Sequence, residues 1–153
     1  MHHTQESGEA VLSIGVDIGG TKVAAGVVDE DGEILRHLVR PTPSRSPEAV
    51  ENAIVEVVDS LSDGLPVKSA GIGAAGWVDT EQALVRFSPH LAWRNEPLRD
   101  RLSERIDLPV IVDNDANAAA WAEYEFGAGR DSRVMTCITP VSYTHLTLPT
   151  SGL

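Results

Sequence analysis

The chain has 153 residues and carries 23 acidic against 12 basic side chains, a formal charge of -11, so its surface repels nucleic-acid phosphates and anionic lipid and neither partner is expected. Hydrophobic residues at 42%, charged residues at 23% and 13 glycines make an ordinary globular composition and exclude disordered and fibrous classes. Cys137 is the single cysteine and cannot form an internal disulfide, which fits a reducing cytoplasm, and no apolar run is long enough to span a bilayer.

In chain order, Val11 to Asp17 is a β-branched, apolar run that reads as a buried strand and ends at the tight turn Gly19-Gly20. Lys22 to Val28 resumes as a second strand, Asp31-Gly32 marks a hairpin, and Glu33 to Val39 makes a third strand before Pro41, Pro43 and Pro47. Ser46 followed by Pro47 has the cap-then-proline order of a helix start, and Val50, Ile54, Val57, Val58 and Leu61 recur at helical spacing until Asp63-Gly64. Val67 to Ala74 reads as a buried parallel strand closed by Gly76, and Pro97 to Ile106 as a second amphipathic helix. Leu108 to Val112 is another buried strand, Ala116 to Phe126 a helix stopped by Gly127 and Gly129, and Arg133 to Thr139 one more strand. Trp77, Trp93 and Trp121 read as packing residues. Hairpins first and crossovers after predict an α/β fold, a mixed five-stranded sheet with flanking helices, and this order resembles the ribonuclease-H-like N-terminal lobe found in actin-like ATPases and sugar kinases.

Residues 1–10 contain no apolar h-region and are expected to be disordered, and the lobe itself is expected over residues 11–130. From Val141 the chain reads Val-Ser-Tyr-Thr-His-Leu-Thr-Leu-Pro-Thr, which coincides residue for residue with one reading frame of a common transposon-type sequencing adapter. Residues 141–153 are therefore expected to be a disordered artefact, and residues 131–140 the first strand of a missing C-terminal lobe.

Two segments carry candidate chemistry. In Asp17-Ile18-Gly19-Gly20-Thr21-Lys22 the glycines let backbone N–H groups approach phosphate oxygens, Thr21 and Lys22 add a hydroxyl and a cation, and Asp17 can orient a magnesium ion through water. A plain Gly-Gly hairpin with solvated neighbours fits the same residues, whereas the glycine spacing fits neither a Walker A loop nor a dinucleotide fingerprint. Asp113-Asn114-Asp115-Ala116-Asn117 lies where a strand hands over to a helix, so Asp115 can serve as a base toward a sugar hydroxyl and Asn114 as a hydrogen-bond partner of its neighbours. Helix capping alone also accounts for Asn and Asp there.

These two segments resemble the corresponding motifs of the ROK family of bacterial sugar kinases, and of its glucokinases in particular. Gly71-Ile72-Gly73-Ala74-Ala75-Gly76-Trp77-Val78-Asp79 and Phe87-Ser88-Pro89-His90-Leu91-Ala92-Trp93-Arg94 resemble the loops that line the family's sugar cleft. The resemblance runs from Val11 to Thr139. It implies ATP-dependent phosphorylation of glucose to glucose 6-phosphate with Mg2+, in a cytoplasmic homo-oligomer. Asp115 would be the catalytic base, Gly76, His90, Asn114 and Asp115 the sugar contacts, and Asp17, Gly19, Gly20, Thr21 and Lys22 the ATP-phosphate and magnesium contacts. No metal site of the protein's own is expected in this segment. Ala75 stands where the family commonly has proline, and His90 where it often has asparagine.

The family's second phosphate loop, Glu-x-Gly-His motif, zinc site and adenosine pocket have no counterpart here, so these 153 residues are expected to be inactive by themselves. Two alternatives follow from the same resemblance: a kinase of another hexose (fructose, N-acetylglucosamine or N-acetylmannosamine), with polyphosphate as a possible donor, or a sugar-responsive transcriptional repressor. Against the repressor, residues 1–10 include two acids and no Lys or Arg ahead of the first strand.

Overall fold

A computed structural model describes residues 11–139; the segments 1–10 and 141–153, with the expectations made for them, lie outside the described residues, as does Pro140. Five strands form the main sheet, in the order β3-β2-β1-β4-β8. Strands β1 (Leu12–Ile18), β2 (Lys22–Val28) and β3 (Ile34–Pro41) are an antiparallel meander. Strand β4 (Val67–Ala74) then lies parallel to β1, and β8 (Val110–Asn114) parallel to β4. This is the expected mixed five-stranded sheet.

Its core follows from strict alternation along β1. Leu12, Ile14, Val16 and Ile18 are buried on one face with Val23, Ala25 and Val27 of β2 and Ala70, Ile72 and Ala74 of β4, while Ser13, Gly15 and Asp17 point to the other. Helix α1 (Pro47–Ser62) covers the apolar face. Ser46 caps it by accepting from the Ala49 N–H at 3.2 Å, Pro47 opens it, and Val50, Ile54, Val57, Val58 and Leu61 bury its inner stripe.

Helix α2 (Leu98–Ser103) is shorter than the amphipathic pattern suggested, though Leu98, Leu102 and Ile106 are all buried as that pattern requires. Helix α3 (Asp115–Glu125) begins directly at the end of β8. Between β4 and α2 the chain makes a second sheet that sequence periodicity did not reveal: β5 (Trp77–Val78), β6 (Val85–Phe87) and β7 (Arg94–Glu96), antiparallel in that order. Two or three residues per strand are too few to establish an alternation.

Two expectations need correction. Arg133 to Thr139 forms no strand: Val134 and Ile138 lie exposed, with no neighbouring strand among the described residues to accept their backbone pairing. Trp93 is fully buried, but Trp77 and Trp121 are exposed at 71% and 61%, so neither is a packing residue within this lobe. Trp121 meets Phe126 edge to face, with ring centroids 6.3 Å apart. No helix among the described residues is long and apolar enough to cross a membrane.

The seam between α1 and α2 carries charge. Glu51 and Glu96 are buried, and Arg101 bridges them, Nη1 to Glu51 at 3.3 Å and Nε to Glu96 at 2.9 Å, with Arg105 at 3.8 Å from Glu51. Removing Arg101 leaves two buried acids facing each other. Because Arg101 itself is half exposed, Arg101→Ala is expected to cost about 1–3 kcal/mol, less than a fully buried pair, as read by urea denaturation.

Candidate active site

The parallel register of β1, β4 and β8 sets their carboxyl ends level. Asp17, Gly73 and Asp113 share one row across the sheet and Ile18, Ala74 and Asn114 the next. In open α/β sheets ligands lie at this edge. The Asp17 row belongs to the face opposite α1, and α3 starts above it: a Cβ on Gly73 would sit 3.6 Å from the Asp115 Cα.

The turn 19–21 joins β1 to β2 at the same edge. The Gly19 N–H donates to the Lys22 carbonyl at 3.0 Å, whereas the N–H groups of Gly20 and Thr21 have no acceptor among the described residues. Neither glycine is in the left-handed region. Gly20 is needed for clearance instead, because a Cβ there would lie 2.7 Å from the Cβ of His90. The turn and the loop carrying His90 are therefore in direct contact.

That loop is fixed from within. Ser88, fully buried, donates to the Ala75 carbonyl at 2.6 Å and accepts from the Leu91 N–H at 3.2 Å. Arg94 stacks over Phe87, 4.2 Å from the ring centroid, and donates to the carbonyls of Ser88 at 2.9 Å and Trp93 at 2.6 Å. Gly76 is pressed by the same segment, since a Cβ on it would lie 2.5 Å from the Phe87 carbonyl oxygen. The sequence expectation gave Gly76 the task of admitting sugar to backbone; within the lobe it admits backbone to backbone.

Asn114 is the N-cap of α3, its Oδ1 accepting from Ala116 N–H at 3.0 Å and Asn117 N–H at 3.1 Å, and its Nδ2 donates to the Gly76 carbonyl at 2.7 Å. Both lone pairs of its oxygen are used, so one N–H is left to offer a ligand. The capping and ligand readings of this residue are thus compatible. Asp113 is committed to structure: it accepts from Asn114 N–H at 2.7 Å, from Asn117 at 3.2 Å and from Gln82 Nε2 at 2.8 Å. Gln82, at φ 54°, ties the small sheet to the start of α3.

Asp115 is the first residue of α3, with one oxygen accepting from Ala116 N–H at 2.9 Å and no donor to the other among the described residues. Asp17 faces it. Desolvation by surrounding protein and then the charge of Asp115 raise the Asp17 pKa above the ordinary aspartate value, with Lys22 pulling it down to a lesser degree. All nine residues expected at the site thus meet at one sheet edge: Asp17, Gly19, Gly20, Thr21, Lys22, Gly76, His90, Asn114 and Asp115. Ser88, Gln82 and Arg94 were not singled out from sequence, because Ser88 and Arg94 bond backbone carbonyls and Gln82 reaches an aspartate 31 residues away, and neither leaves a sequence pattern.

This sheet order, with its meander and crossovers, is the ribonuclease-H-like lobe of sugar kinases and actin-like ATPases. Residues 13–141 match the sequence model of the ROK family, and the chain belongs to that family. It is 52% identical over 128 residues to the glucokinase of Streptomyces coelicolor, covering 84% of this chain and 40% of that protein. With the glucokinase of Thermotoga maritima it shares 42% over 128 residues, 82% of this chain and 40% of that one. A ROK family glucokinase from Streptomyces griseus, solved with glucose and AMPPNP, matches with TM-score 0.76 and 55% identity over 78% of this chain and 38% of that chain. The chain spans about 40% of the length of the curated relatives it matches.

Three outcomes are expected. Ser88→Ala strips two hydrogen bonds from buried backbone and should cost about 1–3 kcal/mol in denaturant unfolding. Gly20→Ala forces the turn and the His90 loop apart at a cost of about 1–3 kcal/mol, and a double-mutant cycle with His90→Gly should recover most of it. The third concerns pH. Since the folded pKa of Asp17 is raised, its contribution to stability is complete below the ordinary aspartate pKa and is lost as pH rises through the raised value. Asp17→Asn abolishes that loss, so it should melt above wild type near neutrality and show no such gain in acid, as thermal melts over roughly pH 3–8 would show.

Proposed function

We propose that the protein to which this lobe belongs is an ATP-dependent glucokinase, transferring the terminal phosphoryl group of ATP to the 6-hydroxyl of glucose. The observation that carries the reading is the convergence at one sheet edge of the Gly20 and Thr21 N–H groups, which have no acceptor among the described residues, with the Asp115 carboxylate oxygen that has no donor among them. Kinship with the Streptomyces griseus glucokinase, solved with glucose and AMPPNP, supports the choice of both substrates.

In this reading the Gly19–Lys22 hairpin holds the phosphates, its N–H groups and the Lys22 ammonium supplying positive potential that the chain as a whole lacks. Asn114 uses its remaining N–H on a sugar hydroxyl, and His90, packed against Gly20, donates to the sugar from its ring. Gly76 contributes backbone to the wall of the sugar site. The sugar oxygen attacks the γ-phosphorus, the bond to the departing ADP breaks, and the hydroxyl proton passes to Asp115.

Asp17 and Asp115, close enough for one to raise the other's pKa, suit a hard divalent cation that keeps most of its waters, so Asp17 is assigned to Mg2+. When bound, that ion neutralises charge on the phosphate oxygens. Use of ATP and the single cysteine accord with a cytoplasmic protein, and the family resemblance with a homo-oligomer.

Asp115→Asn, made in the protein extended to the length of its relatives, should lower kcat for glucose-dependent ADP formation by about 10²–10⁴-fold while leaving glucose affinity within about twofold. Turnover at the wild-type rate would remove Asp115 as the base.

A further inference from the structure

The N–H groups of Gly20 and Thr21 are useful to an anion only if the carbonyls of the same turn point elsewhere, because a backbone carbonyl presents partial negative charge as readily as an N–H presents positive. Of the five carbonyls from Ile18 to Lys22, all but that of Gly20 accept a hydrogen bond among the described residues. Ile18 accepts from Ala75 N–H at 3.1 Å, Lys22 from Gly19 N–H at 3.0 Å, and Thr21 from Thr42 N–H at 2.9 Å. Gly19 accepts from the Thr42 hydroxyl at 2.8 Å.

Two of these donors come from one residue. Thr42 follows the end of β3, outside the hairpin, and holds it through side chain and backbone together. Its own segment is anchored in turn, since the Ser44 carbonyl accepts from Ala92 N–H at 3.1 Å in the loop that carries His90.

We propose that Thr42 is a positioning residue for phosphate binding: its hydroxyl draws the Gly19 carbonyl back so that the following N–H groups face the anion. This rests on the reading of the hairpin as a phosphate site. The hydroxyl is the specific element, because the backbone bond from Thr42 to Thr21 survives any non-proline substitution. Thr42→Val keeps shape and β-branching and removes only that hydroxyl.

The test is a titration of the 153-residue chain with inorganic tripolyphosphate, followed by the amide resonances of Gly20 and Thr21. In wild type both should shift on binding. Thr42→Val should weaken binding about fivefold, the effect of one neutral hydrogen bond, and Thr42→Ser should restore it to within about twofold. Should the valine variant fail to fold, Thr42→Ala removes the same hydroxyl with less bulk. No response at Gly20 and Thr21 in wild type would overturn both the phosphate site and the role of Thr42. A normal response in wild type, with hydroxyl-free variants binding equally tightly or the serine variant binding as weakly as they do, would overturn the role of Thr42 alone.

Discussion

The approach of neighbouring segments to glycine backbone, more closely than a side chain there permits, is the constraint on which the site depends. At Gly76 a Cβ would lie 2.5 Å from the Phe87 carbonyl oxygen, and at Gly20 one would lie 2.7 Å from the His90 Cβ. These two approaches weld three segments that are far apart in sequence: the first hairpin, the bend after β4 and the loop between β6 and β7. Neither glycine is in the left-handed region, so what each supplies is clearance rather than an unusual conformation. A methyl group at either position would move a whole loop, and with it the polar groups that the loop presents.

The level ends of β1, β4 and β8 supply the other half of the construction. Parallel pairing puts Asp17 in line with Gly73 and Asp113, and the chain turns from β8 into α3 without a linker. Asn114 makes that turn possible by capping the helix, and its amide reaches across to Gly76. One side chain therefore fixes the start of α3, the bend beyond β4 and the position of Asp115 together. Asp113, held by Gln82 and Asn117, secures the same junction from the adjoining strand.

Much of this was legible in the sequence, for identifiable reasons. Strands β1, β2 and β4 and helix α1 are long enough for periodicity to speak, and Ser46-Pro47 announces a helix start by chemistry alone. The hairpin and the Asp113–Asn117 segment stood out because glycine pairs and clustered Asp and Asn are the residue types such sites use. The β5–β7 sheet was hidden by its short strands, and the contributions of Ser88 and Arg94 because a side-chain bond to a backbone carbonyl leaves no pattern along the chain. Trp77 and Trp121 were misjudged because hydrophobicity reports a tendency to be covered, not which surface does the covering. Arg133 to Thr139 failed as a strand for the same kind of reason: β structure is a property of pairs.

A chain of net charge -11 is an unpromising receptor for a polyanion, and the local arrangement addresses that in two ways. Oriented N–H groups act over a few ångströms, where they outweigh acids many residues away that solvent screens. Burial raises the pKa of Asp17, and the nearby charge of Asp115 adds to that rise. Under the proposed reading, Asp17 would hold a divalent cation, which would supply neutralising charge to the phosphates. Nucleotide and cation then each relieve the charge that would exclude the other. Under that reading, the carboxylates that oppose ATP in the free lobe would favour ATP accompanied by its metal.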